Sequence, residues 1–98
     1  MYKPLPSFLT IKHSAIHGLG LYATRKLSDN FVLGITHVKD DRFENGYIRT
    51  PLGGFFNHSE NPNCEVVAAG DYLLIVTQQP IQPGEEITAR YTLYSIEV

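Results

Sequence analysis

Three short stretches of this chain carry residue types whose spacing could do chemistry. The first is His17-Gly18-Leu19-Gly20-Leu21-Tyr22-Ala23. Two glycines one residue apart let a backbone approach a ligand closely, because neither carries a Cβ. A Gly-x-Gly pair also makes ordinary turns, and alone it is weak evidence of a site. It lacks the third glycine and the following helix of a dinucleotide fingerprint, so a Rossmann site is excluded. The second stretch is Phe55-Phe56-Asn57-His58-Ser59-Glu60-Asn61-Pro62-Asn63, a cluster of amides and an imidazole behind two aromatics. It reads either as a polar binding segment or as a plain polar loop. Asn57 also opens an N-x-S sequon, which has meaning only in a secreted protein. His58 and Cys64 have no third partner at ligand spacing, so no metal site is expected. The third stretch is Pro83-Gly84-Glu85-Glu86-Ile87-Thr88-Ala89-Arg90-Tyr91, a turn followed by an alternating strand. Period two puts Ile87, Ala89 and Tyr91 on one face and Glu86, Thr88 and Arg90 on the other. Tyr91 then points inward, as a core tyrosine or as the wall of a pocket.

The elements that must position these residues are short strands. Phe8 to Lys12 predicts a first strand, Ser14 to Gly20 a turn, and Leu21 to Thr24 a second strand. Phe31 to Val38 is rich in aromatic and β-branched residues, and Gly34 inside it predicts a bulge or a close backbone contact. Lys39 to Gly46 is a polar surface loop, and Tyr47 to Arg49 a short strand. Asn57 to Asn63 is turn-like. Cys64 to Ala69 and Asp71 to Thr77, split by Gly70, predict a hairpin. Leu73, Leu74, Ile75 and Val76 run without a polar break, which predicts a central strand buried on both faces. Glu86 to Tyr91 is the last strand. No stretch keeps a 3.6-residue period, so little helix is expected.

Bulk composition narrows the function classes. With 98 residues the chain is one small domain, and 43% hydrophobic residues suffice for a core. The net charge of -2 offers no basic surplus for a run of phosphates, so direct nucleic-acid binding is not expected. The single cysteine, Cys64, excludes an intrachain disulfide and a paired-cysteine zinc site. The start of the chain has no apolar signal region and no run approaches a membrane span. The expected location is cytoplasmic, or nuclear in a eukaryotic host.

Order and spacing together are more specific than any one stretch. GLGLYATRKL, then GGFFNHSENPNCEVV, then PIQPGEEITARY resembles the SET-domain protein-lysine methyltransferases over nearly the whole chain. The shortest, viral-type members are the most similar. The resemblance implies a mainly β, β-clip fold of small sheets with a C-terminal pseudoknot, one domain over residues 1–98, and S-adenosyl-L-methionine as methyl donor. The backbone around Gly18, Leu19, Gly20 and Leu21 would cradle the methionine part of the donor. Asn57 would bond its amino-acid end, and His58 the adenine edge. Tyr91 would be the active-site tyrosine, with Tyr94 and Phe56 beside the lysine channel. The substrate would be a protein, histone-like, with an exposed lysine. Gly54, Glu60, Arg90 and Thr92 depart from the family pattern, where Arg, Cys, Asp and Gly are common. The insertion that shapes the peptide groove is short, lying within Ile35 to Gly53, and no cysteine-rich tail follows the tyrosine. A homodimer, or a protein partner, completing the channel is therefore expected. The competing readings are a SET-like module that binds peptide or cofactor without turnover, and a β-clip domain for glycans or small acids. The last leaves Asn57, His58 and Tyr91 without a role.

Overall fold

A computed structural model of the chain describes residues 5–42 and 46–90. The expected mainly β class is what it shows: among the described residues, eight strands in three small sheets and a single 3₁₀ turn at Leu52–Gly54. Strands β1 (Leu9–His13) and β2 (Leu19–Ala23) form an antiparallel ribbon with Leu9 opposite Ala23 and His13 opposite Leu19. The second strand begins earlier than its sequence pattern implies. The Ser14 amide closes on the Gly18 carbonyl at 2.8 Å, so the turn is complete by Gly18 and Leu19 and Gly20 enter the ladder.

The main sheet holds β3 (Val32–Lys39), β4 (Tyr47–Arg49), β6 (Cys64–Ala69) and β7 (Tyr72–Thr77), in the order β4-β3-β7-β6. The hairpin of β6 and β7 closes through Gly70, as its sequence predicts, with Ala69 opposite Tyr72. The β3–β7 register slips once between Val32 and Gly34 and again between Ile35 and His37. The first slip is the bulge expected at Gly34. The second gives β3 an extra residue, and a bulge of this kind lets two successive side chains, Thr36 and His37, both be buried.

Strand β7 is central, but it is not buried on both faces as its apolar run predicts. Leu73, Ile75 and Thr77 lie in the core, while Leu74 and Val76 are half-buried and Tyr72 is exposed. A central place satisfies both hydrogen-bonding edges of a strand and says nothing of its two faces. Opposite those outer residues stand Val32 and Ile35, 50% and 38% exposed, so the outer face of the sheet is apolar and only partly covered.

The inner face packs on Leu9, Leu21, Leu27, Phe56, Ile81 and Ile87, which join one core. Cys64 lies in it, fully buried, and burial pushes its thiol up to about 12, with Glu85 adding to the effect. No helix among the described residues is long and apolar enough to cross a membrane.

The third sheet is small and decides where the site lies. Strands β5 (Asn57–His58) and β8 (Thr88–Ala89) pair in parallel, Asn57 with Thr88 and His58 with Ala89. The turn-like reading of residues 57 and 58 is thus corrected: they are a strand, and the turn begins after them. The last strand is likewise shorter than its alternation predicts, and Tyr91 and the rest of the expected pseudoknot segment lie outside the described residues.

Candidate functional site

Residues 84–89 join two sheets. Their first half runs antiparallel to the free edge of β2: the Ala23 amide bonds the Glu85 carbonyl at 3.0 Å, and the Ile87 amide bonds the Leu21 carbonyl at 2.7 Å. A bridge pairs Tyr22 with Glu86 between them. Two residues later the same segment becomes β8 and pairs with β5. One extended stretch therefore holds β2, which leads out of the turn at Gly18, on one side and the Asn57–His58 strand on the other.

Asn63 fixes this junction. Its Nδ2 donates to the Glu86 carbonyl at 2.7 Å, and its Oδ1 accepts from the Thr88 amide at 2.9 Å. The Asn63 amide in turn donates to Thr88 Oγ1 at 3.2 Å. This clamp explains why Thr88 is buried although alternation puts it on the outer face: its hydroxyl has a partner inside.

Glu86 also departs from a simple outward position. Its carboxylate accepts from Ser14 Oγ, 2.8 Å from each oxygen, and from Asn57 Nδ2 at 2.8 Å. The Tyr22 hydroxyl lies 3.3 Å from Glu86 Oε1 and 2.9 Å from the His13 carbonyl. Burial, and then Glu86, raise the Tyr22 phenol above its ordinary value. Sequence alternation could not find this role, because the partners come from residues 14, 22 and 57, all distant along the chain. The signal lies in Gly20: a Cβ there would overlap the Glu86 carboxylate.

The two glycines of the first motif thus differ. Gly20 is small because its own chain fills the space beside it. Gly18 has φ +48° and open space where a side chain would stand, so its backbone is accessible to a ligand. Leu19 is 48% exposed beside it. Leu21 is fully buried, and its carbonyl is taken by Ile87, so its side chain belongs to the core.

Asn57 reaches this same turn from β5. Its Nδ2 lies 3.3 Å from the His17 carbonyl and 3.2 Å from the Leu19 carbonyl, besides the bond to Glu86. The structure therefore brings Gly18, Leu19, Gly20 and Asn57 together. The His58 ring points elsewhere: its Nε2 is 3.2 Å from Glu60 Oε1 at the surface, and this contact holds the Glu60 carboxyl below its ordinary value. The His58 backbone stays in the β5 ladder. Phe56, expected beside the lysine channel, is a core residue only 3% exposed. Tyr91 and Tyr94 lie outside the described residues. Two of the departures from the family pattern meet, since Arg90 Nη2 donates to the Glu60 carbonyl at 2.9 Å.

A Gly-x-Gly motif and an Asn-His strand are thus held side by side by a Gly-Glu-Glu-Ile-Thr segment. The SET domain family model matches residues 28–92, and the chain belongs to that family. No curated protein sequence matches it. Among solved structures, a candidate histone methyltransferase of Plasmodium falciparum is similar at a TM-score of 0.70 and 22% identity, over 89% of this chain and 95% of that one. The methyltransferase domain of human PR domain-containing protein 2 is similar at a TM-score of 0.71 and 18% identity, over 87% of this chain and 77% of that one. At these identities the likeness is one of fold.

Proposed function

We propose that this domain transfers a methyl group from S-adenosylmethionine to the ε-amine of a protein lysine. The observation that carries the reading is the meeting of Asn57 with the Gly18–Gly20 turn, through bonds to the carbonyls of His17 and Leu19. The fit to the donor rests on two features. The Gly18 backbone is open to approach. Asn57 Oδ1 accepts no bond from the described residues and is not sealed from solvent, which leaves an acceptor for a ligand ammonium.

When bound, the donor supplies a sulfonium-activated methyl that a neutral amine can take directly. The chain then has to bind and to align rather than to form a covalent intermediate. Gly18 and Leu19 would hold the methionine part through backbone, Asn57 its ammonium, and the β5 backbone at His58 the adenine edge. Tyr91 would orient the attacking amine, which must lose its proton from a group whose ordinary pKa is about 10.4. An apolar channel favours that loss.

Calorimetric titration with S-adenosylhomocysteine tests the binding half of this reading. The wild type should bind, and Asn57→Ala should lose about 1.5–3 kcal/mol, the value of a hydrogen bond to a charged group. Unchanged affinity in Asn57→Ala would refute the placement. Tyr91→Phe should keep donor binding and lose most methyl transfer to a lysine substrate. Binding without turnover in the wild type would favour the alternative, a SET-like module that holds cofactor or peptide. The short segment between β3 and β5 favours that alternative, since it leaves little chain to shape a peptide groove.

A further inference from the structure

We propose that Glu86 is a positioning residue for the methyl donor: it fixes the amide of Asn57 so that only an acceptor faces the ligand. The inference rests on the reading above and adds to it a residue that acts through Asn57.

The geometry is one-sided. Every group around Asn57 Nδ2 is an acceptor: the carbonyls of His17 and Leu19, and Glu86 Oε2. An amide turned over would set its own oxygen against all three, so the NH2 group must point inward. The carbonyl oxygen of the same side chain then lies on the side of the amide away from Glu86 and accepts no bond from the described residues. Of the three inward partners Glu86 is the nearest, at 2.8 Å, and the one that is charged. Charge-assisted bonds are the stronger ones, so Glu86 dominates the choice of orientation.

Glu86 is itself held. Ser14 Oγ lies 2.8 Å from both carboxylate oxygens, and a side chain at Gly20 would collide with it. All its side-chain partners are neutral donors, and none of the ion pairs among the described residues includes it. No cation among the described residues therefore neutralises its negative charge, and it is bonded to the same amide whose oxygen would meet an ammonium. Both effects favour a ligand that carries a positive donor at that place.

Glu86→Gln is the test, because it keeps the shape and removes the charge. Three ligands are titrated into wild type and variant: S-adenosylmethionine, S-adenosylhomocysteine, and 5′-methylthioadenosine, which lacks the amino-acid part. The variant should weaken the first two about tenfold or more. It should leave 5′-methylthioadenosine unchanged. In turnover assays the KM for the donor should rise while kcat at saturation changes little. Equal affinity for S-adenosylmethionine in the variant overturns the proposal, and so does an equal loss for all three ligands, which marks a merely structural role. Failure of the wild type to bind any of them defeats the functional reading instead. Should Glu86→Gln not fold, the side-chain amide of Asn57 in the wild type decides by NMR. It should stay protected from exchange when S-adenosylhomocysteine is added, and its release on binding overturns the proposal.

Discussion

His37 is a buried imidazole beside a buried hydroxyl. The Thr36 hydroxyl donates to the Leu73 carbonyl at 3.2 Å, and its oxygen lies 2.9 Å from His37 Nδ1. Burial, and then the charge of Arg49, lower the His37 pKa from its ordinary 6.5. The sign follows directly. Below about pH 6.5 the unfolded chain takes up a proton that the folded imidazole refuses. The contribution of His37 is complete above that pH and is lost as pH falls toward the folded value. Urea unfolding at about pH 7.5 and 5.5 should show lower stability at the acid end, by no more than about 1.4 kcal/mol per pH unit. His37→Gln should flatten that dependence. An equally steep fall in the variant would assign it to other groups. Neither this histidine nor Glu86 was legible as special in the sequence. His37 owes its burial to a bulge one residue earlier, and Glu86 owes its role to three partners that only the folded chain brings near.

At the scale of elements, local signals were read well and pairings between distant segments were not. The bulge at Gly34 and the hairpin at Gly70 follow from the backbone chemistry of a few neighbouring residues. The parallel contact of β5 with β8 joins residues 57 and 88, and two-residue strands carry no periodicity to detect. Strand β7 shows the same limit for burial, since four apolar residues in a row fit one covered face or two. Its two faces should therefore answer differently to substitution. Ile75 is fully buried, and Ile75→Ala should cost about 2–5 kcal/mol. Val32 stands opposite Val76 on the outer face and is 50% exposed. Val32→Thr should stay within about 0.5 kcal/mol of the wild type. Chemical unfolding of the two variants compares them, and a large cost at Val32 would mean that the outer face is covered in solution.

The whole molecule joins parts of unequal strength. The four-stranded sheet has longer strands, paired on both sides of β3 and β7, and a packed inner face. The site instead depends on two-residue strands, a single bridge and the Asn63 clamp. Regions of this kind open at lower free energy than a central sheet. A chain of 98 residues also has a narrow stability margin, so a ligand of the folded state should move its unfolding visibly. At a hundredfold excess over Kd the gain is about 2.7 kcal/mol. For a domain of this size each kcal/mol shifts Tm by about 4–8 °C, so S-adenosylhomocysteine should raise Tm by roughly 10–20 °C. Hydrogen exchange supplies the location. The amides of Asn57, His58 and Ala89 should gain protection first, because the ligand must leave before β5 and β8 can part. Amides of β3 and β7 that open locally should not respond. A Tm that stays fixed at millimolar ligand would make this chain a SET domain by fold without the donor site. Protection gained in β3 and β7 but not in β5 and β8 would put the ligand elsewhere on the molecule.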